Sequence, residues 1–241
     1  MPRIVKAAAD RKSEIVDCAQ ALFFEKGYEA TTIADILAHT KLSKGAFYHH
    51  FTAKEDLLDA LTERITQAYI AVAQDVLEDQ SLDALARLNR FFKRGSQWKA
   101  ETAPSFAPIY AAVLKPENAV LYQRMVQVAM KALAPVLAHI VEQGNREGLF
   151  DAPDPDVVAE MLLHLANARQ AFMVACVEQA AHGELDAAAD ALETRMRVEQ
   201  TIFGRILGLE DGSIQFVQPG FARAMLAAMK KPARRPAKAA A

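Results

Sequence analysis

The chain has 241 residues, of which 52% are apolar, and its formal net charge is -2 at pH 7. This length and composition predict an ordinary globular protein with room for one small and one medium domain. They exclude a protein that is basic throughout, so positive charge for an anionic partner must be concentrated locally.

The fold class follows from residue types and their spacing. With only 10 glycines and 10 prolines, and no run of alternating β-branched residues between turn signals, the chain is predicted to be all-α. The charged N-terminus and the lack of about 18 successive apolar residues favour a cytoplasmic protein without a membrane segment. Cys18 and Cys176 are the only cysteines, so neither a disulfide framework nor a zinc site is expected, and both should be core residues.

The first helix is predicted from about residue 11, after an N-terminal arm of residues 1–10. Apolar residues recur at helical spacing along it: Ile15, Ala19, Leu22 and Phe23. Gly27 follows as a left-handed C-terminal cap. This helix is expected to support the elements that come next.

Three helix starts then fall close together. Thr32 stands three residues before Asp35, and Ser43 heads the following segment. Thr52 precedes Glu55 in a T-x-x-E capping box that opens a further helix. Two short helices joined by a tight turn and followed by a third helix predict a helix-turn-helix.

The second short helix has an inward and an outward face. Phe47 and Phe51 lie four residues apart, after Leu42, and should pack against the first helix. The outward face carries small and polar residues: Lys44, Gly45, Ala46, Tyr48 and His49. Residues 36–54 contain three lysines and no carboxylate, which suits close approach to DNA phosphates and base edges. A solvated helical hairpin would explain each residue singly, but the combination of caps, aromatic residues and lysines argues against it.

This segment resembles the DNA-binding motif of the TetR family of bacterial transcriptional regulators. The resemblance covers about residues 10–60 and is carried by Gly27, Thr31, Thr32, Ile33, Ile36, Ser43, Lys44, Gly45, Phe47, Tyr48, His49, Phe51 and Lys54. It implies a double-stranded DNA operator as partner and these contact residues: Thr31, Thr32, Ser43, Lys44, Gly45, Ala46, Tyr48, His49 and Lys54. Lys41 and Ala53 depart from the family pattern, which often has a turn glycine and a small polar residue there. We expect Lys41 to adopt the left-handed conformation and Thr52 to supply the missing cap.

A fourth helix is predicted from Lys54 to Glu78. Its buried stripe is Leu57, Leu58, Leu61, Ile65, Ala68, Tyr69, Val72 and Val76. At 1.5 Å per residue it would span over about 35 Å and could carry a displacement between domains as a rigid lever. That mechanism rests on the resemblance.

The head with its connecting helix is assigned to residues 11–71, and a helical effector-binding and dimerisation domain to residues 72–229.

Further helices are predicted at about 82–98, 104–114, 118–147, 154–181 and 186–208. The breaks between them are predicted at Pro104, at Pro116, in the segment from Gly144 to Asp156 and in the segment from His182 to Leu185. Pro135 lies inside the third of these helices and should kink it.

The last two long helices form the dimer interface in the TetR family, and the resemblance implies a homodimer here. The candidate interface residues are Phe172, Met196, Phe203 and Ile206. A dimer also converts a weak half-site into a palindromic operator. The alternative is that both helices complete the core of a monomer.

The middle of the chain is rich in large, adaptable side chains that can line a pocket for a small apolar or amphipathic effector. The candidates are Phe91, Trp98, Phe106, Tyr110, Met125, Met161, His164 and Asn167. Any one methionine or aromatic residue is more often plain core. His164, Asn167 and Arg169 interrupt an apolar helix and need polar partners, of which an effector could be one. Glu160 and His164 could instead pair with each other.

Residues 230–241 are predicted to form a disordered basic tail. The tail has five basic residues and no acidic one. It could add non-specific attraction to DNA through counterion release. A tail that only aids solubility is the alternative.

Three functions are compatible with the sequence. The first is a dimeric, ligand-responsive regulator, most simply a repressor that leaves a palindromic operator when its effector binds. The second is an architectural DNA-binding protein without an effector, which leaves the C-terminal helices without a purpose. The third is a helical enzyme that uses Glu160 and His164, but no nucleophile–base pair, phosphate loop or metal-ligand cluster is recognisable. We therefore predict no catalytic residue, metal site or cofactor.

Overall fold

The fold is taken from a computed structural model, which describes residues 8–115 and 118–230. Within these residues the chain forms eleven α-helices and no strand, and the predicted all-α class is confirmed. The helices are α1 Ala8–Lys26, α2 Ile33–Thr40, α3 Lys44–Tyr48, α4 Lys54–Ala71, α5 Gln74–Glu78, α6 Ala84–Val113, α7 Ala119–Glu147, α8 Pro155–Asn167, α9 Gln170–Ala181, α10 Leu185–Ile206 and α11 Phe221–Lys230. Most of the predicted arm and tail, residues 1–7 and 231–241, lie outside the described residues.

Helices α1–α4 form a head around the first apolar core. Its fully buried residues come from all four helices and include Ile15, Phe23, Ile36, Phe47 and Leu61. The C-terminal end of α6 joins the same core through Ile109, Ala112 and Val113. The head is therefore closed on one side by a helix whose other end lies in the second domain.

Helices α5–α11 form the C-terminal domain around a second core. Buried residues from seven helices, α4 and α6–α11, meet there, among them Leu88, Ile140, Leu162, Leu192 and Leu226. By length and composition α7 could also cross a membrane, with a mean hydropathy of 1.3 in its most apolar window, but a single such helix is weak support. α7 contacts α4, α6 and α8, so part of its apolar surface packs within the protein.

The predicted fourth helix, 54–78, is wrong in being continuous, because a turn at residues 72 and 73 divides it. α4 ends at Ala71, and the chain turns through Val72 and Ala73 before the short helix α5 begins. Ala73 is fully buried in the C-terminal core at this turn, so tertiary packing outweighs the continuous helical pattern of the sequence. With 18 residues, α4 is about 27 Å long, which is shorter than the predicted lever.

The predicted break at Pro104 is also wrong. α6 continues through both Pro104 and Pro108 and has 30 residues. A proline inside a helix removes one backbone hydrogen bond, but the neighbouring Ala103 and Ala107 are buried, and this packing holds the helix together. The continuity matters because α6 contributes to both cores.

The predicted helix 154–181 is in fact two helices. α8 and α9 are separated at Ala168 and Arg169, where the guanidinium of Arg169 forms an ion pair with Glu199 of α10. The predictions for 118–147 and 186–208 agree with α7 and α10 to within two residues at each end, and Pro135 lies inside α7 as expected.

Candidate DNA-binding head and effector cavity

The first helix of the helix-turn-helix starts as the sequence predicts. The Thr32 hydroxyl accepts a hydrogen bond from the Asp35 amide at 3.1 Å, and the Asp35 carboxylate accepts one from the Thr32 amide at 2.9 Å. The bond from the Thr32 amide, together with bonds from Lys26 at 3.0 Å and from the Thr32 hydroxyl at 2.8 Å, holds the pKa of Asp35 well below its ordinary value. The reciprocal capping box fixes the entry to α2.

The turn between α2 and α3 also follows the prediction. Lys41 has φ 55, the left-handed conformation, and Ser43 caps α3 through a bond from the Ala46 amide at 3.2 Å. Phe47 and Phe51 are buried in the head core, so the predicted inward face of α3 is confirmed.

The outward surface of α3, here called the α3 face, consists of Lys44, Gly45, Tyr48 and His49. All four are exposed, whereas the adjacent Ala46 is half-buried. A Cβ atom built on Gly45 would meet nothing within 4 Å, so the backbone there is open to close approach. The Lys44 ammonium lies 5.9 Å from the centre of the Tyr48 ring. The face therefore offers a cation, an aromatic hydroxyl and a bare segment of backbone.

Two predicted contact residues have structural roles instead. Thr31 is fully buried, and its hydroxyl donates to the Gly27 carbonyl at 2.8 Å. The Lys54 ammonium donates to the carbonyls of Tyr28 at 2.9 Å and Thr31 at 3.0 Å and lies 4.2 Å from the centre of the Tyr28 ring. Partial burial lowers the pKa of Lys54. Lys54 thus fastens the loop between α1 and α2 to α4, and Thr31 holds that loop together from within.

The predicted capping box at the start of α4 has the wrong carboxylate. Asp56, and not Glu55, accepts from the Thr52 amide at 2.8 Å, the Thr52 hydroxyl at 2.6 Å and the Ala53 amide at 3.1 Å. The bond from the Thr52 hydroxyl is the main cause that lowers the pKa of Asp56. Ala53 is the N-cap residue and has no polar side chain, so a carboxylate three residues later binds the orphan amides in its place.

An arginine of the C-terminal domain contacts that same carboxylate. The Arg124 guanidinium, on α7, donates from Nη2 to Asp56 at 2.7 Å and from Nε to both oxygens of Asp59 at 2.8 Å. A second link joins the domains where Glu29 accepts from Lys115 at 2.5 Å and from Asn118 at 2.9 Å. The turn that precedes α4 is thus tied directly to α7.

The C-terminal core contains a partly open cavity of about 320 Å³, at the small end of the range of about 300–1,000 Å³ for small-molecule sites. Most of its wall is aromatic or aliphatic: Phe91, Phe92, Leu133, Leu137, Met173, Met196, Phe203, Phe216 and Met225. Two tyrosines, Tyr69 and Tyr122, and four other polar side chains also border it: Ser96, Lys99, Arg169 and Gln170. An apolar chamber with a few polar groups is suited to an amphipathic small molecule.

One wall of the cavity comes from a segment that the sequence patterns did not assign to it. The loop after α10 and helix α11 contribute Phe216, Phe221, Met225 and Met229. Asn89 of α6 holds this loop through the Ser213 carbonyl at 2.9 Å and the Gln215 amide at 2.7 Å. A signal was present, because Pro219 and Gly220 mark a helix start and apolar residues recur at spacing four from Phe221 to Met229.

Comparison with known proteins decides the family. Residues 15–61 match the family model described as bacterial regulatory proteins, tetR family, and residues 110–175 match the model described as tetracyclin repressor-like, C-terminal domain. The chain belongs to the TetR family. The first match covers the helix-turn-helix, and the second runs from the end of α6 into α9. The resemblance seen in the head is thereby confirmed and extended to the C-terminal domain.

Individual relatives agree with this family. The repressor KstR2 of Mycobacterium tuberculosis is 33% identical over 92 residues, which make up 38% of this chain and 46% of that protein. The chain thus spans about half the length of that relative. A structure of RolR with resorcinol has 17% identity and a TM-score of 0.58, and covers 91% of this chain and 94% of its own. Thermus thermophilus FadR with lauroyl-CoA has 19% identity and a TM-score of 0.55, with 79% and 94% covered. Such identities show a shared fold alone.

Within this TetR fold, the predicted effector residues do not all border the cavity. Phe91 borders the cavity, whereas Trp98, Phe106 and Met125 are half-buried in the packing around the two cores. Met161 and His164 are exposed on α8, and Asn167 does not line the cavity although its buried Oδ1 has no hydrogen-bond partner. The side chain of Tyr110 lies outside the described part of the chain. α8 lines the cavity through Leu163 and Ala166 instead, a choice of face that sequence spacing along one continuous helix did not reveal.

The predicted dimer residues, on α9 and α10, pack toward the C-terminal core. Met196 and Phe203 are buried and border the cavity, while Phe172 and Ile206 are half-buried against the C-terminal core. Other large apolar side chains of α8 and α10 are exposed instead: Val157, Met161, Val198 and Ile202. We call these four residues the α8–α10 apolar face.

The catalytic alternative gains no support from the geometry. Glu160 and His164 are both exposed on α8, and among the described residues no hydrogen bond or ion pair joins them. The TetR family consists of transcriptional regulators and not of enzymes. Cys176 is buried as expected, and Cys18 is half-buried.

Proposed function

We propose that the protein is a dimeric transcriptional repressor that binds a palindromic DNA operator through its two heads and is released by a small molecule in the cavity. The α3 face supports the first half of this proposal. Lys44, Tyr48 and His49 can reach phosphate oxygens and base edges, and Gly45 admits the duplex. The capped turns around Thr32 and Ser43 hold the face in position.

The observation that carries the ligand response is the course of α6. Its middle borders the cavity at Phe91, Ser96 and Lys99, and its C-terminal end lies in the head core at Ile109 and Val113. A ligand that shifts the middle of a continuous helix must also move the residues at its end. This path replaces the long fourth helix as the mechanical link between domains.

A second path runs through Arg124. This side chain joins α7, which lines the cavity at Leu133 and Leu137, to Asp56 at the start of α4. Because Asp56 also binds Thr52, a shift of α7 acts on the turn immediately after α3. Both paths end in the head, so a ligand can bias its position without contacting it.

The α8–α10 apolar face is the proposed dimer interface. Val157 and Met161 lie one turn apart on α8, Val198 and Ile202 lie one turn apart on α10, and the two helices are in contact. Two copies of this face would bury the four side chains of each chain in a four-helix arrangement. A dimer built on two-fold symmetry then presents two α3 faces to successive major grooves.

The relatives support this proposal by analogy. KstR2 is named as a repressor, and RolR and FadR were solved with resorcinol and lauroyl-CoA. We extend repression and ligand response to this chain, and with them a cytoplasmic location beside the DNA.

Footprinting on the DNA that flanks the coding region tests the proposal. The wild type should protect two half-sites about one helical turn apart. Lys44→Ala should weaken protection and reduce the salt slope by about 0.9 for each phosphate that the protein no longer neutralises. Lys93→Ala, an exposed lysine of α6, is the matched control and should leave both unchanged. Equal binding by Lys44→Ala and the wild type at every salt concentration would contradict the assignment of the α3 face.

The dimer is tested with Ile202→Glu. Ile202 is 40% exposed in the single chain, so a glutamate there should leave the fold intact but prevent the association of two apolar faces. The variant should sediment as a folded monomer and bind the operator weakly. Val120→Glu, at a position of α7 that is 79% exposed, should remain dimeric. A wild type that is monomeric at micromolar concentration while protecting both half-sites would contradict the interface.

A further inference from the structure

The wall of the cavity carries a cation without an anionic partner. Lys99, on α6, borders the cavity, and its ammonium lies 4.7 Å from the centre of the Tyr69 ring. In the described part of the chain it forms no ion pair or hydrogen bond. Its side chain is exposed where it borders the cavity, while the protein around it lowers its pKa. Besides solvent, the ring face and whatever occupies the cavity stabilise this ammonium.

The second cation of the cavity, Arg169, already has a carboxylate partner. Arg169 forms bonds of 2.5 and 2.7 Å with Glu199, which is 1% exposed and also accepts from Arg195 at 2.9 Å. Arg169 is therefore held in place by a buried carboxylate. Its remaining positive field adds to that of Lys99 and is not cancelled by any acid that borders the cavity among the described residues.

The other titratable groups around Lys99 do not supply a counter-charge. Tyr69 of α4 and Tyr122 of α7 border the cavity, and burial raises the pKa of Tyr69, so its phenol stays neutral. Burial, and then the charge of Arg169, lowers the pKa of Lys99 to about 8. At neutral pH the ammonium is thus still protonated, but it is less stable as a cation than in water.

We propose that the natural effector is a small anionic amphiphile, a monocarboxylate with an apolar body, and that Lys99 binds its carboxylate. This proposal rests on the cavity being the effector site of the proposed regulator. The apolar body packs against Phe91, Phe92 and Met173, and the carboxylate provides the counter-charge that Lys99 lacks. Gln170 and Ser96 border the same cavity and can donate further hydrogen bonds.

The charge of Lys99 decides between classes of ligand. A neutral ligand that displaces cavity water leaves the ammonium without its solvent, and a cationic ligand adds repulsion from both Lys99 and Arg169. A carboxylate forms a charge-assisted hydrogen bond in a poorly solvated site. Such bonds contribute enough for an affinity difference of about tenfold or more between an acid and its amide.

Direct binding of matched probes to the full-length protein tests the proposal without DNA. Calorimetric titration compares decanoate with decanamide, and 2-naphthoate with 2-naphthamide. In the wild type each carboxylate should bind at least about tenfold more tightly than its amide. Lys99→Met should remove this difference while keeping amide binding, and Lys99→Arg should retain part of it. Lys93→Met is the matched control and should behave as the wild type.

The pH dependence provides a second readout. Because the binding form of Lys99 is protonated, carboxylate affinity should fall as the pH rises above about 8, and amide affinity should not. In Lys99→Met the carboxylate affinity should be flat over the same range. If Lys99→Met fails to fold, it will lose amide binding as well. The acid–amide preference of Lys99→Arg is then compared with that of the wild type instead.

Three results would overturn the proposal: equal affinity of acid and amide in the wild type, an unchanged preference in Lys99→Met, or no carboxylate binding at millimolar concentration. The regulatory proposal fails separately. If the carboxylates bind through Lys99 but leave operator affinity unchanged, the ligand assignment stands and the ligand-responsive repressor does not.

Discussion

The head and the C-terminal domain solve the same packing problem in different ways. The head core is filled by fully buried residues such as Phe23, Phe47 and Leu61, whereas the C-terminal core surrounds a cavity of about 320 Å³. A filled core resists repacking and holds the α3 face in one geometry. A hollow core can accept a ligand and respond to it. DNA recognition thus relies on a filled core, and ligand sensing on a core with a cavity. Helix α6 joins the two domains because it belongs to both cores.

The largest expected effect comes from truncating one phenylalanine in each core. Phe47→Ala removes a fully buried ring from the filled head and should lower the free energy of unfolding by about 3–5 kcal/mol. Phe203→Ala enlarges a cavity that already exists. It should lower the free energy of unfolding by about 1–3 kcal/mol, mainly because the ring no longer packs against its neighbours. Urea unfolding measures both values. Equal decreases would mean that the two cores do not differ in the proposed way.

The next effect concerns the close approach of α4 and α6 beside the cavity. A Cβ atom on Gly95 would overlap the Tyr69 ring, so Gly95→Ala should lower the free energy of unfolding by about 1–3 kcal/mol or push the ring into the cavity. Either outcome should weaken ligand binding. Gly204→Ala on α10 is the control, because its added Cβ meets its nearest atom at 3.7 Å, and it should be close to neutral. Similar thermal stability of the two variants would refute the contact.

Arg124→Gln should weaken communication between the domains more than it weakens either domain. The change removes the charge that binds Asp56 and Asp59, and we expect the coupling between ligand and operator to fall by about 0.5–2 kcal/mol. Operator titrations with and without a cavity ligand measure it. Arg94→Gln, which removes an exposed ion pair to Asp75, is the control. If Arg124→Gln keeps the full coupling between ligand and operator, α6 remains as the sole proposed path between the domains.

The smallest effect on stability should come from the α3 face itself. Gly45→Ala adds a methyl group in open space within a helix and should leave stability unchanged or raise it by up to about 1 kcal/mol. The same methyl group should weaken operator binding, because it stands where the duplex approaches. Anisotropy with a labelled operator measures the decrease in affinity. Undiminished operator affinity would show that DNA does not approach the backbone at Gly45.

The head could be predicted in detail because its signals are local. Thr32, Asp35, Ser43 and Gly27 act within one turn of helix, and Phe47 and Phe51 follow helical spacing, so a short stretch of sequence determines each feature. Two residues of the motif have structural contacts that the sequence pattern did not show. Thr31 bonds back to Gly27 within its own loop, and Lys54 reaches the same loop from α4, and no local pattern distinguishes such roles from contact with DNA.

The C-terminal domain was predicted only as a set of helices. Its cavity is assembled from several helices and one loop, so which face of each helix lines it depends on tertiary packing. Met196 and Phe203 were assigned to the dimer interface because apolar spacing marks a buried face without saying what buries it. Conversely, Pro104 is a strong local signal for a break, and the packing around Ala103 and Ala107 overrides it.

The central claim is that occupation of the cavity and binding of the operator are coupled. The most direct test measures operator affinity with the cavity saturated by the tightest-binding carboxylate probe, and probe affinity with the operator saturating. A coupling of about 1–3 kcal/mol predicts that each affinity falls by the same factor, between about 5 and 150. A probe that occupies the cavity, as shown by weaker binding to Lys99→Met, while operator affinity stays constant would contradict the claim.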